Sequence, residues 1–277
     1  MKNVFEVLKE AQDFLSLAGV KDGRVSTEVL LAAVLKIPRS KLSLIHDKKL
    51  TKEEHSLINS FLQRRAKREP VAYILGSWEF MGLEFKVNEN VLIPRPETEL
   101  LVEEVLNVKE KESVLDLCTG SGCIAISLAK LGSFKNITAS DISEKALAVA
   151  KDNASLNGIE NINFVLSNIF ENLGGSKFDI IVSNPPYVSP SEYKSLEPEL
   201  LKYEPSIALV TEDDGLFFYK QIAHQAPKFL NKDGMVLVEL NANKSGLIKD
   251  IFEAAGFKDI KIIKDYAGLD RILKARI

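Results

Sequence analysis

Val4, Val7, Leu8, Ala11, Leu15 and Ala18 recur at three- and four-residue intervals, the spacing that gathers apolar side chains on one face of an α-helix. Gly19 supplies a stop. Ser26 opens a second helical stretch that runs through about Lys36, and Thr51 with Glu54 forms a capping box before Leu57, Ile58, Phe61 and Leu62. The opening third therefore predicts a small helical bundle. After Gly76 the period changes: Trp78, Phe80, Leu83, Phe85 and Val87 stand among polar residues in the manner of a short hairpin. Pro94-Arg95-Pro96 then stiffens the approach to a helix beginning near Glu97.

Further on, apolar runs predict strands near 113–118, 136–141, 161–166, 178–183, 234–240, 259–264 and 270–277, with helices between the first five. Only Asp265 to Leu269 separates the last two, too few residues for a parallel crossover, so they should pair as an antiparallel hairpin at the sheet edge. The expected fold class is α/β, with a seven-stranded mixed sheet. It divides into a helical domain (1–75), a β-hairpin linker (76–92) and a sheet domain (93–277).

Two motifs fall at strand ends. Phe178 to Ser183 runs into Asn184-Pro185-Pro186-Tyr187, which at the carboxyl end of a buried strand would form a rigid lip over a ligand crevice. Proline donates no backbone hydrogen bond and holds the preceding residue extended, so the lip offers spare acceptors suited to a planar amino or amide group. An ordinary Pro-Pro turn is the plainer reading. Upstream, Ser113 to Cys118 enters Thr119-Gly120-Ser121-Gly122 and then Cys123 to Ala129: strand, glycine turn, helix. The glycines permit a sharp turn and a ligand close to the helix amino terminus, which implies a nucleotide-like cofactor.

Gly120, Gly122 and Ala125 also satisfy the dinucleotide fingerprint. Asp141, ending the next strand, would accept hydrogen bonds from both ribose hydroxyls of either an NAD or an S-adenosylmethionine, or else belong to the cap of the helix after it. Asp116, an acid within an apolar strand, would hold the glycine turn or meet a cofactor ammonium group through water. The two motifs together favour methyl transfer. Hydride transfer needs a group to polarise a carbonyl, and the lip supplies no general acid, whereas an activated methyl needs mainly a weak nitrogen nucleophile held in line.

At these residues the chain resembles the class I S-adenosylmethionine-dependent methyltransferases that modify planar nitrogens. A longer set of segments, Glu69 to Gly76, Glu79-Phe80, Val91 to Glu99, Asn184 to Tyr187 and Glu204-Pro205, is similar to the peptide chain release factor glutamine methyltransferases, over nearly the whole chain. The resemblance implies a class I methyltransferase (Rossmann-like) sheet, whose antiparallel ending the strand pattern matches. It further implies S-adenosyl-L-methionine as cofactor, with S-adenosyl-L-homocysteine as product, and methylation of the side-chain N5 of the glutamine in the Gly-Gly-Gln motif of class I release factors. The helical domain would recognise that partner.

On this reading Asn184 Oδ1 and the Pro185 carbonyl accept the two N–H bonds of the target amide, Tyr187 packs against it and Pro186 fixes the turn. Cofactor contacts fall to Cys118, Thr119, Gly120, Ser121, Gly122, Asp141, Asn168, Ile169 and Asn184, with Arg95 and Thr98 as further candidates beside the methionine part, Thr98 serving alternatively as a helix cap. Asn168 stands where relatives commonly carry an acid for the adenine amino group, and its amide oxygen can accept the same bond. Cys118 replaces a glycine frequent in relatives, and Glu239-Leu240-Asn241 departs from a glycine-containing continuation. A nucleic-acid base N-methyltransferase (adenine N6 or guanine N2) and a dinucleotide-dependent oxidoreductase stay as alternatives.

Composition adjusts this picture in a few places. With 277 residues, 45% of them apolar, the chain can furnish about two ordinary cores. No uncharged stretch approaches the roughly 20 residues that span a bilayer, so a soluble, cytoplasmic monomer with no membrane contact is expected. Residues 1–75 hold 14 Lys and Arg against 9 Asp and Glu, and the remainder 22 against 30, within a net charge of −3. The basic excess gathers at Arg64, Arg65, Lys67 and Arg68, either a solvated helix end or a surface for a nucleic acid or an acidic protein face. An acidic catalytic domain argues against DNA as substrate. Cys118 and Cys123 share no ligand spacing with His46, His55 or His224, so no metal is expected and both cysteines read as small fillers. Ser189 to Glu212 is either a flexible wall of the substrate cleft or an ordinary surface loop.

Overall fold

A computed structural model describes residues 2–277 of the chain, which separate into two compact units. The first comprises α1 (Val4–Leu17), α2 (Gly23–Leu35), α3 (Lys52–Ala66) and α4 (Val71–Leu75), together with the distant segment Glu197–Tyr203. Val4, Leu15, Leu30, Leu31 and Ile58 form its core. The capping box at Thr51 forms as read: Thr51 Oγ1 accepts from the Glu54 amide at 3.1 Å, and the Glu54 carboxylate accepts from the Thr51 amide at 2.7 Å. Asn3 and Glu6 make a second box at the start of α1. α2 begins at Gly23 rather than at Ser26. The Ser26 hydroxyl does not cap a helix; it donates to Asp22 at 2.8 Å and accepts from Arg65 Nε at 3.0 Å.

That bond belongs to a network that corrects the reading of the basic run. Arg65 is buried, and its guanidinium also donates to Asp22 at 2.7 Å and to Glu199 at 2.8 Å. Arg68 forks onto both oxygens of Glu199 at 2.7 Å, while Arg64 donates to Glu69 and to the carbonyls of Tyr73 and Ile74. Three of the four cations are thus spent inside the unit, and two of them, Arg65 and Arg68, hold the Glu197–Tyr203 segment. Only Lys67 is left exposed. Planar, bidentate arginine bonds to a carboxylate offset part of the desolvation that burial costs.

The second unit opens with β1 (Ser77–Phe80) and β2 (Leu83–Lys86), joined by Met81 and Gly82, whose positive φ angles of 52° and 71° belong to a tight hairpin turn. There follow α5 (Pro96–Leu106), β3 (Ser113–Leu117), α6 (Cys123–Leu131), β4 (Asn136–Asp141), α7 (Glu144–Leu156), β5 (Ile162–Leu166) and β6 (Phe178–Ser183). Beyond four short helical segments (Pro190–Tyr193, Pro198–Tyr203, Ser206–Ala208 and Asp213–Gly215) come α8 (Phe217–Gln225), β7 (Leu230–Glu239), α9 (Ser245–Ala254), β8 (Lys258–Lys264) and β9 (Asp270–Arg276). The seven-stranded sheet has the order β5-β4-β3-β6-β7-β9-β8. All pairs are parallel except those of β9, which runs antiparallel between β7 and β8.

Alternation along the strands divides the core into two layers. Val114, Ile180, Val182, Met235 and Leu237 pack with Leu101, Val102 and Val105 of α5 and with α6, while Leu115, Leu117, Val236 and Val238 pack with α8 and α9. Phe80 and Phe85 of the hairpin lie in the first layer, ring centroids 6.0 Å apart.

The expected helix between β5 and β6 is absent. Residues 167–177 form turns instead, in which Phe170 stacks on Phe229 at 4.7 Å and the Ser167 hydroxyl ties Ile169 O to the Asn172 amide. A segment this short that ends in Gly174-Gly175 has no room for a helix and two connections. β7 begins four residues ahead of the expected 234, because Leu230 already pairs with Phe178 before an irregularity in the register.

One buried side chain ties the hairpin, the glycine turn and α7 together. Asn153 Oδ1 accepts from the Lys86 amide at 2.7 Å, and its Nδ2 donates to Lys86 O at 3.0 Å and Ser121 O at 2.9 Å. Removing it strands three partly or wholly buried backbone groups. Asn153→Ala should lower the unfolding free energy by about 2 to 4 kcal/mol, read as a reduced urea midpoint with an unchanged slope; a loss below about 0.5 kcal/mol would contradict this account.

Candidate active site

Register brings the site together. Leu117 of β3 lies opposite Ser140 of β4 and Ser183 of β6, so Cys118, Asp141 and Asn184 emerge side by side at the carboxyl edge. From β3 the chain proceeds to β4 on one side, and β6 lies on the other. A crevice opens at such a reversal of strand order.

Cys118 leaves β3 with φ 60°, in the left-handed region. For a residue with a Cβ this costs about 1 to 2 kcal/mol, which explains why glycine suits the position. Burial pushes its thiol well above the usual range, so it is not a nucleophile. The turn then closes through Thr119 N to Ser140 O at 3.0 Å and Gly122 N to Thr119 O at 2.8 Å.

The two glycines serve different ends. At Gly120, with φ 55°, an added Cβ would meet nothing within 4 Å, and the residue borders the crevice. At Gly122, with φ 81°, the Cβ would come within 2.9 Å of Ile126 Cδ1 and 3.1 Å of Ala150 Cβ. Gly122 therefore serves the packing of α6 against α7, and Gly120 the approach of a ligand.

Asp116 lies fully buried beneath the turn. One carboxylate oxygen accepts from Thr119 Oγ1 at 2.6 Å and the Ala125 amide at 3.2 Å; the other has no partner among the described residues. Burial raises its pKa to about 7, against the pull of those two bonds. Asp141 braces the turn from β4, accepting from Gly120 N and from Ser143 N, both at 2.9 Å. The cap of α7 is Ser143, not Asp141. Burial also raises the Asp141 carboxyl.

A single pocket is lined by Cys118, Gly120, Asp141, Asn168, Ile169, Asn184 and Pro186, with Val91, Leu92, Ile142, Ile207 and Phe218 as apolar walls. Thr119, Ser121, Gly122, Pro185, Tyr187, Arg95 and Thr98 do not line it. Asn168 donates to Glu171 at 2.9 Å, which leaves its amide oxygen to accept. No Lys, Arg or His belongs to the lining, so the pocket offers a pyrophosphate no cation. It does fit a nucleoside: a carboxylate at the rim for a diol, apolar surfaces for a flat ring, and an amide oxygen for an exocyclic amine.

The residues outside the lining hold its shape. Ser183 Oγ donates to Leu117 O at 2.8 Å. Asn184 Nδ2 donates to Thr98 Oγ1 at 3.1 Å, and Thr98 Oγ1 to Glu239 Oε2 at 2.7 Å. Tyr187 Oη donates to the other Glu239 oxygen at 3.2 Å, while Gly215 packs so closely that a Cβ there would sit 2.5 Å from Tyr187 O. Arg95 pairs with Glu204 at 2.5 Å, and Glu204 also accepts from the Ile93 amide. Thr98 makes no helix cap; it occupies the third turn position of α5 as a buried relay.

Glu239 and Gly215 escaped the reading of the sequence as site residues. For Glu239 a signal existed: an acid closing the apolar run Met235 to Val238 must find partners when buried. Gly215 carried none, since its partner is a backbone carbonyl distant in sequence.

Because Asp116 is favoured in its protonated form when folded, the native protein binds more protons than the unfolded chain between about pH 4 and 7. That stabilisation is complete below the unfolded pKa of 3.8 and is lost as pH rises through about 7. Relative to wild type, Asp116→Asn should gain stability between pH 5 and pH 8, on the order of a few kcal/mol, measured as the difference in urea midpoints. Parallel profiles for the two proteins would exclude it.

Residues 96–203 match the methyltransferase small domain and residues 6–76 the PrmC N-terminal domain. The release factor glutamine methyltransferase of Fusobacterium nucleatum subsp. nucleatum is 40% identical over 276 residues, covering 98% of this chain and 78% of that protein. The protein of the same description from Geobacter sulfurreducens is 41% identical over 273 residues, covering 98% and 96%. In fold, a Pyrococcus furiosus methyltransferase crystal structure matches with a TM-score of 0.57 at 20% identity, over 77% of this chain and 98% of that one. Joined over nearly their full length to such relatives, the helical unit and the sheet with its antiparallel ending place the chain in the release factor glutamine methyltransferase family, on a class I methyltransferase fold.

Proposed function

We propose that this protein transfers a methyl group from S-adenosylmethionine to the side-chain amide nitrogen of a glutamine in peptide chain release factors, the glutamine of their Gly-Gly-Gln motif. One observation carries the residue roles. Asn184 borders the pocket while its Nδ2 is committed to Thr98, so Oδ1, which accepts no hydrogen bond from any described residue, remains as a free acceptor beside the nucleoside pocket. The Pro185 carbonyl likewise has no backbone or side-chain donor among the described residues.

Bound S-adenosylmethionine supplies a methyl already activated on a sulfonium sulfur. Asp141 holds the ribose hydroxyls, Gly120 lets the ligand approach the turn, and Ile169 with Ile142 flanks the adenine while the Asn168 oxygen accepts from its amine. Asp116, buried beneath the turn, holds its shape through Thr119 and the Ala125 amide. Cys118, Thr119, Ser121 and Gly122 contribute through the backbone and shape of the turn.

A glutamine amide is a poor nucleophile because its lone pair is shared with the carbonyl. Asn184 Oδ1 and Pro185 O accept its two N–H bonds, weaken that conjugation and stabilise positive charge developing on nitrogen. Pro186 fixes the lip. Tyr187, whose hydroxyl is tied to Glu239, packs against the flat amide and holds the lip in place. Holding the two reactants in line supplies most of the rate gain, worth roughly 7 to 11 kcal/mol where the geometry is favourable.

The helical unit recognises the release factor, and residues 204–212 form part of the wall beside the glutamine. No helix among the described residues is long and apolar enough to cross a membrane, and no group of three or more His, Cys, Asp or Glu among them could hold a metal ion. The enzyme acts as a cytoplasmic monomer on protein rather than DNA.

Purified release factor incubated with methyl-labelled cofactor should take up label at one glutamine, located by peptide mass spectrometry. Asn184→Ala should reduce kcat about 10²- to 10³-fold with cofactor affinity little changed. Label confined to DNA or ribosomal RNA, or full activity in Asn184→Ala, would overturn the proposal.

A further inference from the structure

We propose that Glu239 is a positioning residue for methyl transfer: it takes the one proton of the Thr98 hydroxyl, commits Thr98 to accept from Asn184, and thereby fixes which end of the Asn184 amide faces the pocket. The inference rests on the role given to Asn184 above and extends it to two residues that do not line the pocket. A hydroxyl has a single proton to donate and two lone pairs. The Thr98 proton goes to Glu239 Oε2 at 2.7 Å, leaving only a lone pair for Asn184 Nδ2 at 3.1 Å. Were the amide reversed, its oxygen would face an oxygen with no proton to offer.

The fold places this carboxylate where it can act on both ends of the lip. Alternation along β7 turns Glu239 toward α5, the same side as Leu237, and its second oxygen accepts from Tyr187 Oη at 3.2 Å. Its own backbone is pinned as well, Glu239 O accepting from Tyr219 Oη at 2.9 Å. Asn184 and Tyr187, first and last residues of the tetrapeptide, are therefore referred to one fully buried group. Both Glu239 oxygens act as acceptors, as an ionised carboxylate requires. Burial, with Glu97, raises its carboxyl, while the bonds from Thr98 and Tyr187 and the charge of Arg271 favour the ionised state; the Tyr219 hydroxyl bonds the Glu239 backbone carbonyl instead. In Glu239→Gln the side-chain NH2 can donate to Thr98, which frees the Thr98 proton to turn toward Asn184 and lets the amide reverse.

Wild type, Glu239→Gln, Thr98→Val and Thr98→Ser are compared with release factor as substrate, measuring kcat, KM and, by calorimetry, cofactor affinity. Glu239→Gln and Thr98→Val should lose roughly 10- to 100-fold in kcat, the scale of one misplaced hydrogen-bonding group. KM and cofactor affinity should stay within about threefold, the signature of an interaction made mainly in the transition state. Thr98→Ser, which keeps the hydroxyl, should retain kcat to within about threefold. By NMR, the Asn184 side-chain amide protons should exchange slowly in wild type and Thr98→Ser and faster in Thr98→Val, a readout independent of turnover.

Several results would overturn the inference: unchanged kcat in both Glu239→Gln and Thr98→Val, an equal loss in Thr98→Ser, or a loss confined to cofactor affinity. Wild-type protein that leaves the release factor unmethylated removes the substrate reading and this inference together, which separates that failure from one seen only in the variants.

Discussion

Everything at the carboxyl edge of the sheet depends on the parallel register of β3 with its two neighbours. Because Leu117 is level with both Ser140 and Ser183, three consecutive chain exits deliver a left-handed cysteine, a carboxylate and an amide to one rim. A slip of one residue in either pairing would turn the side chains of that strand to the opposite face and dismantle the rim. The apolar packing on both sides of these strands makes such a slip costly, so the two core layers hold the register and the register holds the site.

Around that rim the polar groups fall into two sets with different tasks. Asp116, Thr119, Asp141 and Ser143 brace the glycine turn through short bonds to backbone amides and hydroxyls, and so shape the backbone that borders the pocket. Thr98, Glu239 and Tyr187 hold the lip in the same way from α5 and β7. In both sets a buried carboxylate accepts from two donors of different elements, a rigid arrangement because an unmade bond to a buried charge is expensive. Burial raises the carboxyl of Asp116, Asp141 and Glu239 alike, so the site concentrates acids whose charge the surrounding donors must sustain.

The helical unit illustrates how far a charge pattern can mislead. Arg64, Arg65, Lys67 and Arg68 read as a solvated helix end or a surface for a partner, yet the structure spends three of them on internal partners. Their carboxylates, Asp22, Glu69 and Glu199, are scattered along the chain, and the segment carrying Glu199 comes from far beyond the unit's own helices. Charge along a chain says which sign is available, whereas tertiary neighbours decide whether it meets solvent.

The sequence by itself determined the seven sheet strands and their order along the chain, the capping box at Thr51, the antiparallel ending and the strand-turn-helix and Asn-Pro-Pro-Tyr segments, since each is written in local periodicity, turn chemistry or residue type. Of the nine residues it brought forward as cofactor contacts, Cys118, Gly120, Asp141, Asn168, Ile169 and Asn184 line one pocket, while Thr119, Ser121 and Gly122 do not. What only the tertiary structure decided was the division of labour: that Gly122 serves helix packing, that Thr98 is a relay rather than a cap, that residues 167–177 need no helix, and that Glu239 and Gly215 support the lip. Those roles depend on which groups meet across long chain separations, and a buried hydrogen bond or a close backbone approach leaves no periodic trace in either partner alone.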